Sequence, residues 1–204
     1  MAIHLHRNDL PADIRFDGAV AVDSETLGLN PLRDRLCVVQ LSAGDGDAHL
    51  VTFDAGAYDA PHLKAVLSDP QLLKIFHFAR FDVAVFKHWL GVDTTPIYCT
   101  KIASKLARTY TDRHGLKDVV REMTGVELSK QQQSSDWAAA ELTEAQRAYA
   151  ASDVLHLHAV REGLDRMIDR EGRRALLTAA FAFLPTRAAL DLAGWSETDI
   201  FAHS

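Results

Sequence analysis

A chain of 204 residues, 48% hydrophobic and 25% charged, has room for one ordinary domain with a sizeable core and the composition of a soluble globular protein. Its formal net charge of −6 argues against coating long nucleic acid by counterion release, which needs a basic surface, but leaves room for a small phosphate-bearing substrate in a local pocket. No run reaches the roughly 18 apolar residues of a membrane span, the N-terminus lacks a secretory apolar core, and Cys37 and Cys99 form no CxxC pair. No membrane, disulfide framework or thiolate zinc site is expected, and the cytoplasm is the expected compartment.

In chain order, 18–24 (GAVAVDS) reads as a strand from its small and β-branched residues, and 35–42 (RLCVVQLS) as a second. GDGD supplies turn chemistry rather than a calcium loop, because the full spacing and terminal Glu are missing. AHLVTFD, 48–54, then makes a third strand and an antiparallel meander. Pro61 opens a short helix. LLKIFHF, 72–78, has strand length, and 79–90 has helical period up to Gly91. IYCT is a short strand. Helices follow at 101–109, 115–124, 143–169 and 171–183, with loops around TDRHG and SKQQQSSDW, and Pro185 is expected to end the last of them. Strands first, then alternation, then helices predict one α/β domain over 1–204 with a mixed sheet. The tail 185–204 is unusually apolar for a free end, with Leu190, Leu192, Trp195, Ile200 and Phe201. It packs either on its own domain or on another subunit.

Three groups of carboxylates carry the chemistry. In DSETLGL, Asp23 and Glu25 are i and i+2 and share one strand face. Two such acids repel unless a cation lies between them. Asp82 stands in the first turn of the helix after 72–78, where an acid suits the helix dipole and where α/β sheets place ligands. In YAASD, Tyr149 and Asp153 are i and i+4 on one helical face. Four oxygen ligands suit two hard divalent cations, Mg²⁺ or Mn²⁺, which can clamp the attacking and leaving oxygens of a phosphodiester. A phenol with an unperturbed pKa of about 10 positions water rather than deprotonating it. His156 and His158 are i and i+2 on a helix and make a poor metal pair. Between Lys101 and Arg121, six basic residues (Lys101, Lys105, Arg108, Arg113, Lys117, Arg121) form a local positive excess.

The order DxE, then Asp82 in HxxRFD, then YxxxD resembles the DEDDy branch of the DEDD 3′–5′ exonucleases. LSKQQQSSDW and TKIASKLARTYTDRHGLK are similar to segments of RNase D. The length and the ending GWSETDIFAHS resemble the nanoRNase C family, RNase D-like enzymes that degrade very short RNA. The resemblance covers essentially the whole chain and implies an RNase H-like (DnaQ-like) α/β fold. It implies that Asp23, Glu25, Asp82 and Asp153 hold two metals and that Tyr149 orients the water. It makes Leu29, with Leu27 as competitor, a wedge between the last two bases, tolerant of any base. His77, Arg80 and Phe81 would contact the 3′ nucleotide. Arg108, Arg113, His114, Lys130 and Gln133 would supply donors to a 5′ phosphate. The implied substrate is a dinucleotide, including the pGpG released from cyclic di-GMP, and the implied assembly is a homo-octamer whose contacts involve the tail. A broader RNase D-like exonuclease on longer RNA or DNA is the alternative.

Overall fold

The computed structural model describes residues 2–129, 131–132 and 135–203. Its strands are Ile3–Arg7 (β1), Ala19–Thr26 (β2), Leu36–Ser42 (β3), Ala48–Thr52 (β4), Leu73–Phe76 (β5) and Ile97–Cys99 (β6). They form one mixed sheet in the order β1-β4-β3-β2-β5-β6. The expected meander is present, since β2–β3 and β3–β4 pair antiparallel. β5 and β6 extend the other side of β2 in parallel, which requires crossover connections that helices supply. β1 pairs parallel with β4 at the far edge and escaped the sequence reading. Its five residues, IHLHR, carry polar or charged side chains at three positions, too weak a pattern to mark a strand.

The helices are Pro61–Ser68 (α1), Ala79–Val85 (α2, continued by a π turn at Phe86–Leu90), Thr100–Ala107 (α3), Leu116–Thr124 (α4), Glu144–Leu155 (α5), Leu157–Arg170 (α6) and Arg174–Leu190 (α7). The sheet separates two apolar layers. Val20 and Val22 of β2 pack with Phe76, Val83 and Leu184 on one face, while Ala21 packs with Ile75, Ala151 and Val154 on the other. By the alternation of a strand, Ser24 belongs to the α2 side and Asp23 and Glu25 to the α5 side. At the end of β2, Ser24 meets Asp82 of α2 while α5 packs on the other face.

Two expectations at the helical end are corrected. The segment 143–169 is two helices, because the chain changes direction at His156, which closes α5 and opens α6. Pro185 lies inside α7, which continues to Leu190 and through a further π turn at Asp191–Trp195. One lost backbone bond is outweighed there by packing on α2 and by an ion network. Arg80 of α2 donates through Nε and Nη2 to both oxygens of Asp191, at 2.6 and 2.8 Å. Arg187 donates to the same carboxylate at 2.7 Å and to the Trp195 carbonyl at 2.6 Å. By length and composition, Arg174–Trp195 is also apolar enough to cross a membrane, contrary to the sequence expectation. Its Arg187–Asp191 pair and its seat on α2 are features of a domain helix. Asp191→Ala leaves two guanidiniums facing each other and is expected to cost about 3 kcal/mol by urea unfolding. A loss below about 1 kcal/mol, the range of a solvated pair, would show that the network does not hold the tail.

Candidate active site

The last turns of β2 set the site. Asp23, Glu25 and Asp153 each bring a carboxylate oxygen within 4.8 Å of the others. Asp82 lines the same cleft from the opposite layer and accepts the Ser24 hydroxyl at 2.6 Å. α5 is placed by a capping box, in which Gln146 N–H donates to Thr143 Oγ1 at 3.2 Å and Thr143 N–H donates to Gln146 Oε1 at 2.9 Å. From that start, Tyr149 and Asp153 fall on the face turned to β2, and the Tyr149 hydroxyl meets Asp153. All five residues singled out in the sequence line one cleft of about 640 Å³.

Burial and crowding shape their charge. Burial first, then the negative charges of Asp82, Asp153 and Glu25, hold the Asp23 pKa well above the carboxylate range. Burial, then the charges of Asp153 and Asp82, push Glu25 to about 9. Burial raises Asp82 and Asp153 to about 7, against the hydrogen bonds from Ser24 and Tyr149 that lower them. Burial, then Asp153 and Glu25, pushes Tyr149 far up, so the phenol keeps its proton. Four carboxylates in one cleft, three of them within 4.8 Å of one another and all resisting ionisation, form a donor set that divalent cations satisfy.

The rim is built from the turns at the strand ends. After β2 pairing shifts register at Glu25/Thr26, the chain turns through Leu27 and Leu29, 53% and 88% exposed, both in the cleft lining. Asp34 ties this turn by accepting Asn30 N–H at 2.9 Å. A Cβ at Gly28 would overlap the Asp34 carboxylate, so only glycine admits that closure. Between β5 and α2, Phe78 adopts φ 77°, an unfavourable conformation for a bulky residue that persists where a site demands it. His77 Nδ1 lies 2.9 Å from Thr100 Oγ1. Burial, then the charge of Lys101, lowers its pKa to about 3, so the ring is neutral. His77 and Phe81 also line the cleft.

Other expected contacts are not there. Arg80 turns away to Asp191, at the edge of a second groove. Arg108 is 2% exposed, outside the cleft lining, and its guanidinium is taken up by Glu122, Ser104 and the Arg113 carbonyl. Arg113 is exposed outside the cleft lining, and His114 Nδ1 pairs with Ser104. Lys130 and Gln133 lie outside the described residues. The cleft instead holds Lys101, 4.4 Å from the Phe78 ring centroid, and Lys117. Both belong to the basic stretch seen in the sequence, where nothing distinguished them from Arg108. Trp137 was noticed only as part of SSDW. It is buried, lines the cleft and places its ring 6.0 Å from that of Tyr149.

The 3′–5′ exonuclease family matches residues 8–169. The chain belongs to that family. This exonuclease is 34% identical over 171 residues to ribonuclease D of Gluconacetobacter diazotrophicus, covering 84% of this chain and 43% of the relative. It thus spans less than half the length of that curated relative. The solved structure of Brucella melitensis NrnC bound to pGG is 57% identical, with TM-score 0.97 and 100% of both chains covered. NrnC with bound Mg²⁺ is 56% identical, with TM-score 0.96 and the same coverage. The expected DnaQ-like fold and RNase D kinship of the exonuclease stand.

Proposed function

We propose that this exonuclease removes mononucleotides from the 3′ end of very short RNA, dinucleotides above all. The observation that carries the reading is the convergence of Asp23, Glu25, Asp82 and Asp153 with Tyr149 in one cleft. NrnC, so similar over its whole length, was solved with pGG and with Mg²⁺. The four carboxylates would hold two divalent cations, Mg²⁺ or Mn²⁺, which supply charge compensation to the attacking and leaving oxygens of an in-line displacement. Tyr149 donates a hydrogen bond to Asp153 and keeps a lone pair for the attacking water, orienting it. Leu29, the more exposed of the two rim leucines, is the base wedge, with His77 and Phe81 beside the 3′ nucleotide. Among the described residues, Lys101 and Lys117 are the Lys or Arg side chains lining the cleft. Two cations suit a substrate with few phosphates and replace Arg108 as the phosphate contacts.

A second part of the proposal is assembly. The exposed apolar groups Leu176, Trp195, Ile200 and Phe201 support a homo-oligomer, an octamer in the reading by resemblance, with the tail in its contacts. Free, buried Cys37 and Cys99 support a reducing, cytoplasmic setting, where linear pGpG from cyclic di-GMP would be a substrate.

The test is turnover of 5′-labelled RNAs from two to about ten nucleotides, against an EDTA control. A sharp rate maximum at length two is expected, because two cleft lysines cannot hold a long backbone at physiological salt. A flat or rising profile would replace the dinucleotide reading with a broad RNase D-like exonuclease.

A further inference from the structure

Gln40 of β3 has no solvent exposure. Among the described residues, neither its Nε2 nor its Oε1 meets a partner. A fully buried amide with both ends unpaired is rare and unfavourable. Its surroundings narrow the explanation. On β4 it faces Leu50, which packs with Trp137, Leu142 and Ala150. α5 packs over this part of the sheet with Gln146, Ala150, Ala151 and Val154 buried; the amide of Gln146 is taken up by the Asp136 carbonyl and the Thr143 N–H, and the other three have no polar side chain. Two residues along β3, the Ser42 hydroxyl is already given to the Asp47 carbonyl. On β2, however, the residue directly opposite Gln40 is Asp23.

Directly opposed residues of an antiparallel pair share a face, with Cβ atoms about 5 Å apart. A glutamine side chain spans that gap. When a carboxylate ligates a cation, its oxygens turned away from the metal need donors.

We propose that Gln40 is a positioning residue for Asp23. Its Nε2 donates to the Asp23 carboxylate when a cation is bound there, fixing its orientation at the end of β2. This inference rests on Asp23 being a metal ligand.

The experiment is calorimetric titration of Mg²⁺ into EDTA-stripped, dialysed full-length protein, comparing wild type, Gln40→Met and Asp23→Asn. Methionine keeps the volume and removes the amide. Gln40→Met is expected to weaken Mg²⁺ binding about tenfold or more. Its metal-free melting temperature should be unchanged or higher, because an unpaired amide has gone. At saturating Mg²⁺, KM for a dinucleotide should match wild type and kcat should largely recover. In wild type, the Gln40 side-chain amide ¹⁵N–¹H signals should shift as Mg²⁺ is added, a readout that needs no variant to fold. Mg²⁺ affinity within twofold of wild type in folded Gln40→Met, or Gln40 signals that do not move on metal addition, would overturn the inference. If Asp23→Asn loses Mg²⁺ binding while Gln40→Met does not, only the role of Gln40 falls. If Asp23→Asn binds Mg²⁺ like wild type, the metal assignment itself falls with it.

Discussion

Asp153→Asn is expected to lower Mg²⁺- or Mn²⁺-dependent turnover by at least about a thousandfold, a loss of about 4 kcal/mol in transition-state stabilisation, and yet to make the metal-free protein more stable. The two effects share one cause. Asp153 is one of three carboxylates within 4.8 Å of one another, and burial lifts its pKa from 3.8 to about 7. Between those values the folded chain binds more protons than the unfolded chain, so the slope of unfolding free energy with pH is negative. Stability of EDTA-treated wild type should therefore fall as pH climbs from about 4 to about 7, and added Mg²⁺ should restore it. Asparagine removes the charge and keeps the shape. A gain on the order of 2 kcal/mol at pH 8 is expected, discounted for partial exposure of the site. Asp82→Asn, whose carboxyl is also pushed to about 7, should behave the same way. Urea unfolding in EDTA with a metal-dependent turnover assay reads both effects. Near-normal turnover in either variant, or a loss of metal-free stability, would remove these acids from the cation site.

Tyr149→Phe should reduce kcat by about 100- to 1000-fold, the usual cost of losing one positioning hydrogen bond at a reacting centre, with KM changed by less than about threefold. The ring would still pack against Trp137, and the cleft would keep its shape, so binding is spared. What disappears is the hydroxyl between Asp153 and the water. Because burial and the surrounding acids hold the phenol proton so firmly, the pH–rate profile of wild type should show no basic limb from a tyrosine titrating near 10. A variant that cleaves like wild type, or a phenol limb in the profile, would contradict the orienting role.

Much of the site was legible along the chain because regular structure converts spacing into direction. Two residues apart on a strand put Asp23 and Glu25 on one face, and four apart on a helix did the same for Tyr149 and Asp153. The meander and the strand–helix alternation were legible for the same reason. The basic residues were not. Arg108 and Lys117 sit in one positive stretch, but Arg108 is sealed inside by Glu122 whereas Lys117 lines the cleft. Arg80 is two residues from Asp82, yet its long side chain reaches Asp191 at the other end of the chain. A flexible side chain's partner depends on which distant segment packs beside it, and spacing carries no record of that.

Sequence alone therefore determined the kind of chemistry this exonuclease brings together: four acids and a phenol, ordered on a strand and two helices whose periods point them inward. Only the tertiary structure decided the rest. It set α2 and α5 on opposite faces of the sheet so that both reach the end of β2, and it carried the last helix through Pro185 onto α2. It also placed Gln40 directly across from Asp23. These are long-range pairings, chosen by which apolar faces bury each other and which strand registers let them do so.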